Sequence, residues 1–267
     1  MHLQNEYPSK DILLASIIHR SRVSHTNYKY LGMPGFTRQW DATCPREWDR
    51  WEDGGVTWVI QDLAPEDDET ALQILQNDFL PDEQLCICSK LTEEPESVTS
   101  MVRFWRECLA QRMSLGCYEV TSAGKQLVAL NVCVVDTTEE TVPSTPIEGV
   151  AWKNVYGAMI YVEQKCDPFK YLNLDKILHA LGLSVKREYR GKRLGSRILA
   201  ARKPLALANG VKATATVFTG PASQKCAARS GFHTICAVAA PELADSGLNY
   251  PRDDSIVIKL MVLRFDE

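Results

Sequence analysis

The chain has 267 residues, a formal net charge of −4, 45% apolar residues and 24% charged ones. Those totals are ordinary for a soluble globular chain with room for one large domain or two small ones. The negative balance argues against general nucleic-acid binding, which shows as a basic domain. No apolar run approaches the roughly 20 residues that span a bilayer, so no membrane partner is expected.

The apolar run from Ile12 to Ile18 is short and follows Glu6 and Asp11, which fits neither a secretory signal nor a transit peptide. The nine cysteines form no Cys-x-x-Cys pair, and the closest two, Cys86 and Cys88, lack partners at zinc-finger spacing. Most of the others sit in apolar runs, where a free thiol acts as a small hydrophobe. No metal site and a reducing, cytoplasmic compartment are expected.

Residues 1–54 lack a sustained hydrophobic period and read as an extension whose later part packs on the domain proper, residues 55–267. Thr57 to Leu63 reads as a first strand. Beyond the acidic stretch from Ala64 to Glu69, residues Ala71, Leu72, Ile74, Leu75 and Phe79 fall at helical spacing. Leu91 to Glu96 reads as a polar helix start and Val98 to Met113 as an amphipathic helix. Leu115 to Thr121 and Gln126 to Val135 read as two strands joined by a turn at Ser122–Lys125. Residues 136–150 have loop composition and read as a surface insertion. Leu178 to Val185 predicts a central strand. A helix from Gly195 to Ala208 follows, stopped at Asn209–Gly210 and bent by Pro204. Val211 to Phe218 (strand), Pro221 to Ser230 (short helix), a strand from Gly231 and a last strand from Ser255 to Leu263 complete a mixed α/β pattern.

Between Lys186 and Arg197 lie six Lys or Arg residues and one acid, Glu188. This charge stands between a strand and the start of a helix. Helix N-termini present unpaired N–H groups and a partial positive charge, so the arrangement suits a ligand with several phosphates, a coenzyme first of all. Neither the dinucleotide-binding Gly-x-Gly-x-x-Gly nor the Gly-x-x-x-x-Gly-Lys-[Ser/Thr] loop is present.

Arg190-Gly-Lys-Arg-Leu-Gly195 instead resembles the pyrophosphate loop of the GCN5-related N-acetyltransferases, [Arg/Gln]-x-x-Gly-x-[Gly/Ala], with Arg193 where the pattern has its middle glycine. Ala180 to Val185, Tyr189-Arg-Gly191, Thr219 to Ser223 and Ser230-Gly-Phe232 resemble the insect-type arylalkylamine N-acetyltransferases. So does Phe79-Leu-Pro-Asp-Glu-Gln-Leu85, with Gln84 in place of a proline. The resemblance runs from about Thr57 to Leu263. It implies a mixed, mostly antiparallel sheet of about seven strands, splayed at a central parallel pair and flanked by helices. It further implies acetyl-CoA as co-substrate, held by Leu183, Ser184 and Val185 along the pantetheine and by Arg190, Gly191, Lys192, Arg193, Leu194, Gly195 and Ser196 at the pyrophosphate.

Acetyl transfer to an amine requires loss of the ammonium proton, polarisation of the thioester carbonyl and protonation of the leaving thiolate. The resemblance gives Glu83 as a base acting through water. His179 is the rival: period-two alternation places it on one face with Leu181, Leu183 and Val185, and its ordinary pKa near 6.5 suits a proton shuttle. Ser223 and Thr219 match positions where the family carries hydroxyls near the thiol, although Ser223 also reads as a helix cap. Ala227 stands where many relatives have a tyrosine acid. Cys226 has no evident His partner, so direct transfer in a ternary complex is favoured over an acyl-cysteine.

The reading is a monomeric N-acetyltransferase for a small primary amine, most readily an arylalkylamine, with polyamines or agmatine as alternatives. A non-catalytic CoA-binding module, which Arg193 and the missing tyrosine would suit, stays open beside it.

Overall fold

A computed structural model of the chain describes residues 36–138 and 146–265. Among these, eight strands form one sheet in the order β1-β2-β3-β4-β5-β6-β8-β7. The strands are β1 Glu47–Asp53, β2 Val56–Asp62, β3 Leu115–Thr121, β4 Gly124–Thr137, β5 Lys176–Val185, β6 Ala213–Phe218, β7 His233–Ala239 and β8 Val257–Arg264. All neighbours are antiparallel except β5 and β6, which run parallel. The sheet has one strand more than the seven expected. The addition is β1, an edge strand in the segment where no period shows, and its half-wet residues alternate too weakly to announce it.

Helices cover both faces. Against one face lie α1 (Asp68–Ile74), α2 (Gln84–Cys88), α3 (Pro95–Ala110), α4 (Val150–Lys165), α5 (Pro168–Leu172) and α8 (Ala240–Asp245). Their apolar residues and those of the sheet form the larger core, with Leu72, Leu75, Trp105, Trp152 and Leu260 fully buried. On the other face α6 (Leu194–Ala208) packs Ile198, Ala201 and Leu205 over Trp58, Leu115 and Val128. The short α7 (Pro221–Arg229) closes a smaller cluster of Leu199, Phe218, Ala227 and Phe232.

Sequence periodicity locates most of these elements to within a few residues, and β3 at both ends. It misses α2, α4, α5 and α8. The helix α4 buries one face through Ala151, Val155, Ala158 and Val162, but Met159, Ile160 and Tyr161 are apolar outside it, so the sequence shows no clean stripe. Residues 136 and 137 belong to β4 rather than to the expected insertion, and 139–145 lie outside the described residues. All nine cysteines are free thiols. Among the described residues no helix is long and apolar enough to cross a membrane.

One local irregularity shapes the centre of the sheet. On β4, Asn131 and Cys133 pair with Leu183 and Ala180 of β5, so two residues on β5 (Leu181 and Gly182) stand opposite the single Val132. Such a bulge inserts an extra residue and inverts the alternation beyond it. Leu181 therefore packs into the larger core, whereas Leu183 and Val185 pack on the α6 side. The expected common face for His179, Leu181, Leu183 and Val185 is thus corrected: it is broken at Gly182, whose φ of +143° only glycine adopts freely. Trp105 Nε1 donates to Leu181 O at 2.8 Å and Asn131 Nδ2 to Gly182 O at 2.6 Å, which satisfies both bulge carbonyls.

Candidate active site

β5 and β6 pair at only two positions, Leu178 with Thr214 and His179 with Ala215. Past His179 the two strands part, so the facing edges of Ala180–Val185 and Thr216–Phe218 no longer satisfy each other. Unpaired N–H and C=O groups on such edges form a template for an extended ligand. Leu183, Ser184 and Val185 line the β5 side, and Ser184 Oγ is buried with no hydrogen-bond partner.

Glu83 reaches this region through a distorted helix. After α1 the chain widens into a π turn over Leu75–Phe79, in which Leu80 N bonds Leu75 O at 2.9 Å, and π turns recur at functional sites. Phe79 packs edge-on against Trp105 at 5.8 Å, and Trp105 in turn holds the β5 bulge. Glu83 then caps α2, its Oε2 accepting from Cys86 N at 2.6 Å. Its Oε1 accepts from the hydroxyl of Thr219, the first residue after β6. Two residues singled out 136 positions apart are therefore in direct contact across the chain.

Ser223 lies in the first turn of α7, where its Oγ donates to Gly220 O at 2.9 Å. It does not cap that helix: Gly220 is the N-cap, with no side-chain capping bond. Ala227 is buried, with no tyrosine in its place. His179 stands apart from the Glu83–Thr219 contact. It is 4% exposed on the α4 face of β5, with Nε2 3.2 Å from Glu163 Oε1. Burial, with the Arg202 charge nearby, pulls the imidazole down to about 4, and burial next to Asp136 and Asp167 pushes the Glu163 carboxyl well above its usual range. His179 is thus neutral near pH 7, and the Glu163 carboxyl keeps its proton to a higher pH than an ordinary one. Among the described residues neither Glu163 oxygen has a hydrogen-bond partner, and its contact with His179 is one of proximity alone.

The basic loop joins the end of β5 to α6. No side chain caps the N-terminus of α6, so its first-turn N–H groups at Leu194, Gly195 and Ser196 are open to an anion. Gly191 has a φ of +85° with open space where a Cβ would stand. Arg193, the N-cap, holds a φ of +60°, the left-handed conformation that the missing glycine would take without strain. Its side chain is exposed and, among the described residues, has no ion pair or hydrogen bond.

The other cations are largely engaged. Arg190 donates to Asp82 Oδ2 at 2.7 Å, Asp78 O at 2.9 Å and Val185 O at 3.0 Å. Arg187 pairs with the same Asp82 at 3.0 Å, and these bonds hold the Asp82 carboxyl below its ordinary range. Lys192 Nζ sits over the rings of Trp58 and Tyr189, and the Arg197 guanidinium lies 4.1 Å from the centre of Trp51 while pairing with Asp49. The aromatic residues of β1 and β2 thus border the loop, a role that the sequence does not reveal.

Comparison with solved structures matches this arrangement to acetyltransferases. The structure of the protein designated arylalkylamine N-acetyltransferase 7 from the yellow fever mosquito Aedes aegypti is 31% identical, with a TM-score of 0.79, over 86% of this chain and 100% of that one. The chain belongs to the GCN5-related N-acetyltransferase superfamily. It shares that family's acyltransferase fold, a mixed sheet opening at one parallel pair. Arylalkylamine N-acetyltransferase 2 of Aedes aegypti is 19% identical (TM-score 0.68, 78% of this chain and 99% of that chain). Polyamine N-acetyltransferase of Drosophila melanogaster, an enzyme that forms N-acetylagmatine, is 17% identical (TM-score 0.64, 78% and 99%). No protein-family model matches the chain, and no curated protein does.

Proposed function

We propose that the chain transfers the acetyl group of acetyl-CoA to a small primary amine, most readily an arylalkylamine, by direct attack in a ternary complex. The observation that carries this reading is the Glu83–Thr219 contact beside the parting of β5 and β6. The open N-terminus of α6 and the strand edge at Leu183–Val185 suit the coenzyme's pyrophosphate and pantetheine respectively. Gly191, Lys192, Arg193, Leu194, Gly195 and Ser196 supply the phosphate-binding turn, and Arg190 braces it against Asp82. The mosquito relative supports the arylalkylamine class, and the Drosophila enzyme supports agmatine or polyamines as the alternative.

A primary ammonium has a pKa of roughly 10 and must lose its proton before attack. Glu83 accepts that proton through water. The amine nitrogen then bonds the thioester carbon and releases its second proton to solvent, the C–S bond breaks, and its electron pair leaves on sulfur. Thr219 already donates to Glu83. Once Glu83 is protonated it can return a proton to the Thr219 oxygen as Thr219 gives its own to the thiolate. The relay needs no tyrosine, which accounts for Ala227. Ser223, whose hydroxyl is spent on Gly220 O, orients the first turn of α7.

The test is thiol release from acetyl-CoA against a panel of tyramine, dopamine, serotonin, agmatine and spermidine. Saturable turnover strongest on the aromatic amines is expected. Turnover confined to agmatine or spermidine would move the substrate class. Tight CoA binding without turnover on any amine would replace the enzyme with a coenzyme-binding module.

A further inference from the structure

Arg202, on α6, is fully buried. Its Nε donates to Asn131 Oδ1 at 2.7 Å and its Nη1 to Thr216 Oγ1 at 2.9 Å and Thr214 Oγ1 at 3.3 Å. The Phe232 ring lies 5.7 Å away, and among the described residues the buried Nη2 has no hydrogen-bond acceptor. Among the described residues no carboxylate comes within ion-pair distance of it. The one acidic group beside it, the Cys133 thiol, is pushed up to about 11 by burial and so stays neutral. An unpaired buried charge is costly, and a guanidinium does not escape that cost by losing its proton.

The location gives this cost a purpose. Asn131 ties the guanidinium to the bulge carbonyl of Gly182 on β5, while Thr214 and Thr216 are on β6, the second one residue past the last β5–β6 pair. Arg202 therefore holds both lips of the strand opening from the α6 side. Its positive charge is fixed and dry on the α6 side of that opening and, among the described residues, has no carboxylate partner. Preorganised charge of this kind, in a site closed to water, is among the strongest contributions to catalysis.

We propose that Arg202 is an electrostatic positioning residue whose buried charge stabilises the sulfur of coenzyme A as a thiolate. The inference rests on the acetyltransferase reading above. As the amine nitrogen–carbon bond forms and the carbon–sulfur bond breaks, the electron pair departs to a sulfur already in the field of Arg202. The proton from the amine reaches that sulfur afterwards by way of Glu83 and Thr219.

The experiment titrates free CoA bound to the wild-type protein, following thiolate absorbance in the ultraviolet against pH. Arg202→Met and Arg202→Lys are titrated in parallel. The bound thiol is expected to titrate at least one pH unit below free CoA, a tenfold gain in thiolate. That shift should vanish in Arg202→Met and persist in part in Arg202→Lys. Acetyl transfer in Arg202→Met should lose more than tenfold in kcat while KM for acetyl-CoA changes little. A wild-type thiol that titrates like free CoA overturns the inference even if neither variant folds. A shift that survives in Arg202→Met overturns it too. Absence of saturable CoA binding to the wild type overturns the acetyltransferase reading itself, and the inference with it.

Discussion

Replacing Glu163 by Gln tests the neutral reading of the buried pair it forms with His179. In the folded protein the pair holds one proton from about pH 4, where the imidazole titrates, up to the raised value of the carboxyl. In the unfolded chain Glu releases its proton near 4.3 and His near 6.5. Glu163 is thus a raised group, and its stability contribution is full below 4.3 and lost as pH rises toward its folded value. His179 is a depressed group, and its contribution is present above 6.5 and lost as pH falls toward about 4. Between 4.3 and 6.5 the two slopes cancel. Above 6.5 only the Glu163 slope remains, and wild-type stability falls by about 1.4 kcal/mol per pH unit until the carboxyl ionises.

The amide of Glu163→Gln carries no titrating proton. Above pH 6.5 the variant's curve should be flat relative to this loss, so it gains on the wild type by that same amount per unit. Below 6.5 the variant goes on losing ground to the wild type as pH falls, because His179 is left to lose stability alone on acidification. Urea unfolding at pH 5, 6.5 and 8 measures both limbs. Two curves that stay parallel across the three pH values would refute the neutral-pair assignment.

At Arg193 the left-handed backbone is strained and, among the described residues, the side chain has no ion pair or hydrogen bond. Arg193→Gly should melt higher than Arg193→Ala, by about 1–2 kcal/mol of relieved strain less a few tenths for glycine's freedom in the unfolded chain. Thermal melts of the two variants decide it, and equal melting would mean that this residue is not left-handed in solution. Asp62 is fully buried and accepts from both Arg38 nitrogens, from Arg46 N at 2.7 Å and from Trp48 Nε1 at 2.8 Å. Asp62→Ala leaves the Arg38 charge buried and unpaired, so it should cost about 3–5 kcal/mol in urea unfolding. Gly182→Ala would place a Cβ 3.2 Å from Leu75 at a φ of +143°, which should cost about 1–3 kcal/mol and lower acetyl transfer by closing the bulge on the π turn that carries Glu83.

Motifs read from the chain placed the parts whose chemistry is local. The basic loop announces itself by charge density, the following helix by Gly195 and Asn209–Gly210, and the central strand by its apolar run. Glu83 and Thr219 were both legible, each from its own short motif, but their contact is a product of the π turn and of the end of β6, which no spacing encodes. Alternation keeps His179 with Leu181 but misplaces Leu183 and Val185, because it assumes a regular strand. Gly182 was visible as a glycine in a strand, the usual mark of a bulge, and that was the available signal. Arg202 looked like one more cation in a helix rich in Ala and Leu. Only the packed sheet shows that it is dry and without a counter-charge. Asp82 was legible as an acid beside Glu83, yet its role as the tie for Arg187 and Arg190 depends on a loop more than a hundred residues away.

The most direct test of the account is kcat/KM for the preferred amine, measured for the wild type and for Glu83→Gln between pH 6 and pH 9. General-base catalysis by a positioned side chain contributes about 10²–10⁴-fold. The account predicts a loss in that range for Glu83→Gln, largest where the amine is still protonated and narrowing as rising pH supplies free amine. A variant that matches the wild type at every pH would contradict it, because the proton would then leave the amine without Glu83.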